Sequence, residues 1–216
     1  MSLLHEYLFQ AVWLGWAAYW FISSFSASAP KRVQDRSSRR LHRLELLLAY
    51  ALLTFPELGV GWLGLRIMPR TEALYWSGAA MLVLGMGFAV WARVHLGEYW
   101  SGHVTLKPGH RLIRTGPYAL ARHPIYTGLL LALIGSAVAV DEYRGVLAVI
   151  IAAQAFVRKL RLEERWLTEE FGAEYDKYRM EVKALVPGIV RRPSPRVPGL
   201  RGLIRAGRSP GSRRSR

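Results

Sequence analysis

Cysteine is absent from all 216 residues. That removes disulfides, thiolate metal sites, cysteine nucleophiles and prenylation of this chain at a C-terminal cysteine. Charge is also missing in two places. No Asp, Glu, Lys or Arg lies between Tyr7 and Ala29, which argues against an ion or proton path through that stretch. From Gly188 onward there are nine Arg and no acid, so that end carries +9 of the +15 formal charge. Segment 191–216 is rich in Arg, Pro, Ser and Gly and reads as a disordered basic tail. It has no aromatic interleaving and no folded nucleic-acid module, so nucleic acid is not the expected partner. Anionic lipid headgroups are.

What is present is apolar sequence, in blocks approaching the ~20 residues that cross a bilayer core. They run Tyr7–Ala29, Leu44–Leu65, Ala73–Val94, Ile125–Val140 and Val146–Val157. The last two are joined by Asp141-Glu142-Tyr143-Arg144-Gly145 and form a hairpin. The expected fold is therefore all-α and polytopic, with five transmembrane helices. Ala27-Ser28-Ala29 resembles a signal-peptide cleavage site, but the basic n-region is missing and Pro30 follows, so the first span is expected to be retained.

Basic residues in the loops set the orientation. Lys31, Arg32, Arg36, Arg39, Arg40 and Arg43 face the single acid Asp35, while no Lys or Arg precedes the first span. The N-terminus is then outside. Residues 95–124 and the C-terminus are cytoplasmic, in the inner membrane if the cell is bacterial. Three parts follow: residues 1–72 with two spans and the basic loop, a core over 73–190, and the tail 191–216.

Several signals carry less than their letters promise. Gly59-Val60-Gly61-Trp62-Leu63-Gly64 fits the G-x-G-x-x-G pattern, but it lies in an apolar block with no strand before it. Small residues for close helix approach are the better explanation, for it and for Gly85-Met86-Gly87. His95, His103, His110 and His123 fall close together in sequence but lack the spacing that puts several rings on one helical face, so no metal is expected. Most Trp residues lie near span ends, where interfacial anchoring accounts for them.

Chemistry concentrates in Gly116-Pro117-Tyr118…Arg122-His123-Pro124-Ile125-Tyr126-Thr127-Gly128, just before the hairpin, and in Glu163-Glu164 just after it. Pro124 is placed to start a helix. A hairpin brings both polar blocks to one membrane face. Lys159 and Glu163 are i,i+4 neighbours if the following segment is helical. A further amphipathic helix is expected over Ala173–Leu185, with Tyr175, Tyr178 and Val182 on one side.

These motifs, followed by Leu167…Phe171-Gly172-x-x-Tyr175-x-x-Tyr178…Pro187 and preceded by Leu96-Gly97-x-x-Trp100-Ser101, resemble the isoprenylcysteine carboxyl methyltransferase family over roughly residues 75–190. Membrane phospholipid N-methyltransferases share a weaker version. The resemblance implies an S-adenosylmethionine site at the cytosolic face. Carried over position by position, its ligands are His110, Arg111, Leu112, Ile113, Tyr118, His123, Pro124, Ile125, Tyr126 and Glu163, with His103 at a further polar position. Many relatives have an arginine facing the substrate carboxylate four residues before that glutamate; here the position is Lys159. Lysine offers a point charge instead of a planar fork. Lys159 or Arg122 would orient an anionic, lipophilic acceptor reaching the site from the bilayer. A carboxylate acceptor needs no general base. An amine acceptor needs one, such as His123 or Glu164. A third alternative is a membrane protein that has kept the scaffold without the activity.

Overall fold

A computed structural model describes residues 3–25, 32–33, 35–69, 71–97, 105–106 and 112–186. Six helices dominate: α1 (Leu3–Ser24), α2 (Arg36–Thr54), α3 (Glu72–Leu96), α4 (Pro124–Val140), α5 (Tyr143–Phe171) and α6 (Ala173–Glu181). The only strands among the described residues are β1 (Arg32–Val33) and β2 (Thr105–Leu106), which pair antiparallel. That pair ties the segment before α2 to the loop beyond α3.

One described helix, α3, is long and apolar enough to cross a membrane by length and composition, and α4 is apolar but shorter. The second expected span differs most from the sequence reading. Its helix begins eight residues before Leu44, where Asp35 caps α2 by accepting from Ser37 N at 2.8 Å. It stops at Thr54 because Pro56 biases Phe55 to the extended conformation it adopts. The remaining residues to Gly64 form two short 3-10 turns. The glycine motif therefore shapes a turn, not a helix contact: a Cβ on Gly64 would sit 2.2 Å from Gly59 O.

Glycine does set the packing of α3 on α4. Gly78 faces Gly135 and Gly85 faces Gly128, and a Cβ on any of the four would come within 2.4–2.5 Å of the opposing backbone oxygen. The two backbones touch, as small residues allow. Leu82, Ala89, Ala132 and Leu133, on the same two helices, are buried in the main core. Gly87 meets nothing within 4 Å and has no such role.

At the end of the bundle away from the motifs, Asp141 terminates α4 in the left-handed conformation, at φ 54°. Its buried carboxylate accepts from Met68 N at 3.0 Å and from Arg66 at 3.4 Å. Arg144, also buried, donates to the terminal carbonyls Leu52 O at 2.6 Å and Phe55 O at 3.3 Å. Arg144 satisfies carbonyls that the end of α2 leaves open and Asp141 holds the loop before α3, so the hairpin turn is locked to the α2–α3 connection. At the other end, Arg93 bridges Gly97 O at 3.0 Å and Ser23 O at 3.1 Å, closing α3 onto the end of α1.

The last expected helix is shorter than predicted. It stops at Glu181, and Val182 is extended. Tyr175, Tyr178 and Val182 nevertheless share one buried cluster. The chain beyond runs beside the start of α4: Arg122 N donates to Lys183 O at 2.9 Å and His123 N to Ala184 O at 3.0 Å. Thr127 Oγ1 donates to Leu185 O at 2.6 Å.

Candidate active site

The hairpin brings the two motif blocks together at its mouth. His123 is 6% exposed and lies between the adjacent carboxylates of α5. Its Nδ1 is 3.3 Å from Glu163 and its Nε2 is 3.3 Å from Glu164. Tyr126, one turn along α4, donates its hydroxyl to Glu163. The His123 and Tyr126 rings stack with centroids 5.8 Å apart, and Tyr126 stacks on Phe156 at 5.3 Å. Lys159 Nζ lies 5.6 Å from the Tyr126 ring centroid, within cation–π range.

Arg122 has its donors occupied. Nε donates to Glu164 at 2.9 Å, Nη2 to the same oxygen, and Nη1 to the carbonyls of Arg179 and Val182. It therefore joins α5, α6 and the segment after α6 into one frame.

Charge follows from these contacts. Burial alone would lower the His123 pKa, but hydrogen bonds to Glu163 and Glu164 raise it above 6.5. Burial would raise both carboxylates, yet His123 outweighs it; Glu163 is lowered and Glu164 falls to about 2. Burial lowers Lys159, opposed by Glu163. The Tyr118 phenol is pushed up by burial and then by Glu163, so it stays protonated.

The turn before α4 supplies the remaining wall. Gly116 has φ 57°, a conformation that favours glycine, and the His95 ring lies 2.7 Å from where its Cβ would be. His95 Nε2 is 2.9 Å from Thr115 Oγ1, and its ring stacks over Tyr118 at 6.3 Å. Tyr118 O accepts from the Tyr178 hydroxyl.

Of the residues implied by the resemblance, Tyr118, His123, Pro124, Tyr126, Lys159 and Glu163 gather at this mouth. Ile125 packs on the main core and Leu112 on the Tyr175–Tyr178 cluster, while Ile113 is half-buried. His103, His110 and Arg111 lie outside the described residues, as does the basic tail. A cleft of about 1030 Å³ runs along the outer side of α5, lined by Arg158, Arg161 and Arg165 among others. It meets the cluster only at Glu164 and contains none of the implied cofactor residues. Sequence reasoning missed the backbone pairing of 183–185 with 122–127, because no motif marks main-chain partners.

Fold and site together define a helical protein whose apolar hairpin carries a buried ionic cluster at one mouth. Residues 78–169 match the isoprenylcysteine carboxyl methyltransferase (ICMT) family, so the core of this chain is similar to that family. Among similar proteins is a probable protein-S-isoprenylcysteine O-methyltransferase of Oryza sativa subsp. indica, 28% identical over 140 residues, 63% of this chain and 68% of that protein. The protein-S-isoprenylcysteine O-methyltransferase of Saccharomyces cerevisiae is 30% identical over 115 residues, 52% of this chain and 48% of that protein. The cobalt-zinc-cadmium resistance protein CzcN of Cupriavidus metallidurans is 32% identical over 115 residues, 52% of this chain and 51% of it. The chain thus spans about two thirds of the rice protein and half of the other two.

Proposed function

We propose that this chain is an integral membrane methyltransferase that uses S-adenosylmethionine and methylates the carboxylate of a lipophilic acceptor. The observation that carries the reading is the meeting of His123, Tyr126 and Glu163 at the hairpin mouth, inside the segment that matches the family. Exposed Leu44, Leu47 and Leu48 on α2 and Val83, Leu84 and Val94 on α3 form apolar outer faces, which suit lipid contact. Loop charge supports a cytoplasmic mouth and an N-terminus outside.

The donor set fits a cationic methyl donor. Glu163 is a half-buried carboxylate that accepts from the Tyr126 hydroxyl, and its negative charge favours a cation nearby. When bound, S-adenosylmethionine supplies an electrophilic methyl on a positively charged sulfur. Glu163 would hold one of its polar groups, with Tyr118, His123, Pro124, Ile125 and Tyr126 as the wall; the family resemblance adds His103, His110, Arg111, Leu112 and Ile113 to the ligands. Lys159 orients the acceptor anion. Arg122 does not, since Glu164 and two carbonyls occupy it; its part is to fix the frame. The acceptor oxygen is already ionised, so the residues align and desolvate the reactants and transfer no proton. Both ring nitrogens of His123 are engaged by Glu163 and Glu164, so neither is open to take a proton from an amine acceptor.

The test is Glu163→Ala in a protein shown to insert normally. Binding of S-adenosylmethionine by calorimetry and transfer of its labelled methyl should both be lost. Full activity would overturn the assignment.

A further inference from the structure

The cleft along the outer side of α5 takes no part in the proposed reaction, since none of the implied cofactor residues lines it. Gln154, Val157, Arg161 and Arg165 follow one another in its lining at three- and four-residue intervals, so they share one helix face. The same face continues toward the hairpin turn through Ile150 and Val146, both exposed apolar side chains. Its character changes once. Val157 ends the apolar run, and Arg161 stands about 6 Å further along the axis, the depth of the headgroup layer outside a bilayer core.

The charges in the cleft are unequally spent. Four arginines, 158, 161, 165 and 179, stand against two acids, Glu164 and Glu169. Glu164 is taken by Arg122 and His123, while Arg158 is held by Glu45 and Arg179 lies 3.7 Å from Asp176. Arg161 and Arg165 are exposed, and neither pairs with an acid among the described residues. Two guanidinium forks one turn apart suit the oxygens of a phosphodiester. A free phosphate would use only this charged end. A lipid uses the apolar face below it as well.

We propose that the α5 cleft binds an anionic phospholipid, with Arg161 and Arg165 on its phosphate and the Val146–Ile150–Val157 face along an acyl chain. A zwitterionic lipid brings its own ammonium to the phosphate and gains less. The proposal rests on the membrane placement above and adds to it a ligand separate from the methyl acceptor.

The test is native mass spectrometry of the purified full chain in detergent with dioleoyl phosphatidylglycerol and dioleoyl phosphatidylcholine, and with inorganic phosphate as competitor. Phosphatidylglycerol should bind about tenfold or more tightly than phosphatidylcholine, the scale of two cations beside a headgroup. Arg161→Gln with Arg165→Gln should remove most of that preference. Arg36→Gln with Arg40→Gln, which takes the same charge from exposed positions on α2, should keep it. If the α5 pair lowers Tm, Arg165→Gln alone decides, with a loss of about fivefold expected. An unchanged preference in the α5 variants overturns the proposal. So does an equal loss in the α2 pair, which marks general surface charge, and so does displacement by millimolar inorganic phosphate, which marks a simple anion site. Release of the chain from membranes by alkaline carbonate would sink the membrane placement instead, and the lipid comparison would still decide the cleft.

Discussion

Arg122 and Glu164, 42 residues apart in sequence, meet at 2.9 Å with both side chains largely buried. Glu164→Ala would leave Arg122 without its carboxylate and His123 with one partner instead of two. Removing one member of a buried pair is costly, so a loss of about 3 kcal/mol is expected. A matching fall in Tm by calorimetry checks it; an unchanged Tm would mean the pair is idle.

The same cluster sets a pH window. His123 has a folded pKa above 6.5, because its carboxylate partners outweigh burial. Its stabilisation is complete below pH 6.5 and is lost as pH rises through the raised value. Glu164 is depressed from 4.5 to about 2, since His123 and Arg122 overcome the opposing effect of burial. Its stabilisation is complete above pH 4.5 and is lost as pH falls toward 2. Thermal melts across pH should therefore fall on both sides. His123→Gln should flatten the alkaline limb and shrink the acid limb to the part that Arg122 alone supports.

Gly85 and Gly87 are two residues apart and differ in what they face. A side chain at Gly85 meets the Gly128 carbonyl at 2.5 Å, whereas at Gly87 it meets open space. Gly85→Leu should destabilise by about 3 kcal/mol or prevent packing. Gly87→Ala should stabilise by about 0.5–1 kcal/mol through reduced chain entropy. Unfolding in detergent compares the two.

Residues 183–185 supply carbonyl partners to 122–127. Ending the chain after Val186 should therefore keep the melting temperature, while ending it after Glu181 should lower it by several degrees. Equal melting of both truncations would show that this backbone pairing contributes nothing.

Much of the site was legible because its residues are adjacent in sequence. Arg122-His123-Pro124 and Glu163-Glu164 flank a hairpin of apolar runs, and hairpin geometry alone brings them together. The hairpin turn was narrower than the five residues 141–145, since Asp141 and Glu142 alone separate α4 from α5. The second span was misread because Leu44–Leu65 is evenly apolar, and hydropathy does not register where Pro56 breaks the helix. That same reading left His42 in a basic loop, hiding that it stands one turn before Glu45 on α2. Lys159 and Glu163 interact electrostatically, as their spacing suggests, but spacing does not show that Glu163 is also engaged by His123 and Tyr126, partners brought in by tertiary packing.

The contact of Gly78 and Gly85 with Gly135 and Gly128 governs traffic as well as packing. With the backbones of α3 and α4 touching at both levels, a hydrocarbon chain finds no passage between those two helices. A membrane-borne acceptor in the proposed reaction therefore has to reach the mouth by some other flank of the bundle, and the seam acts as a closed wall on its side.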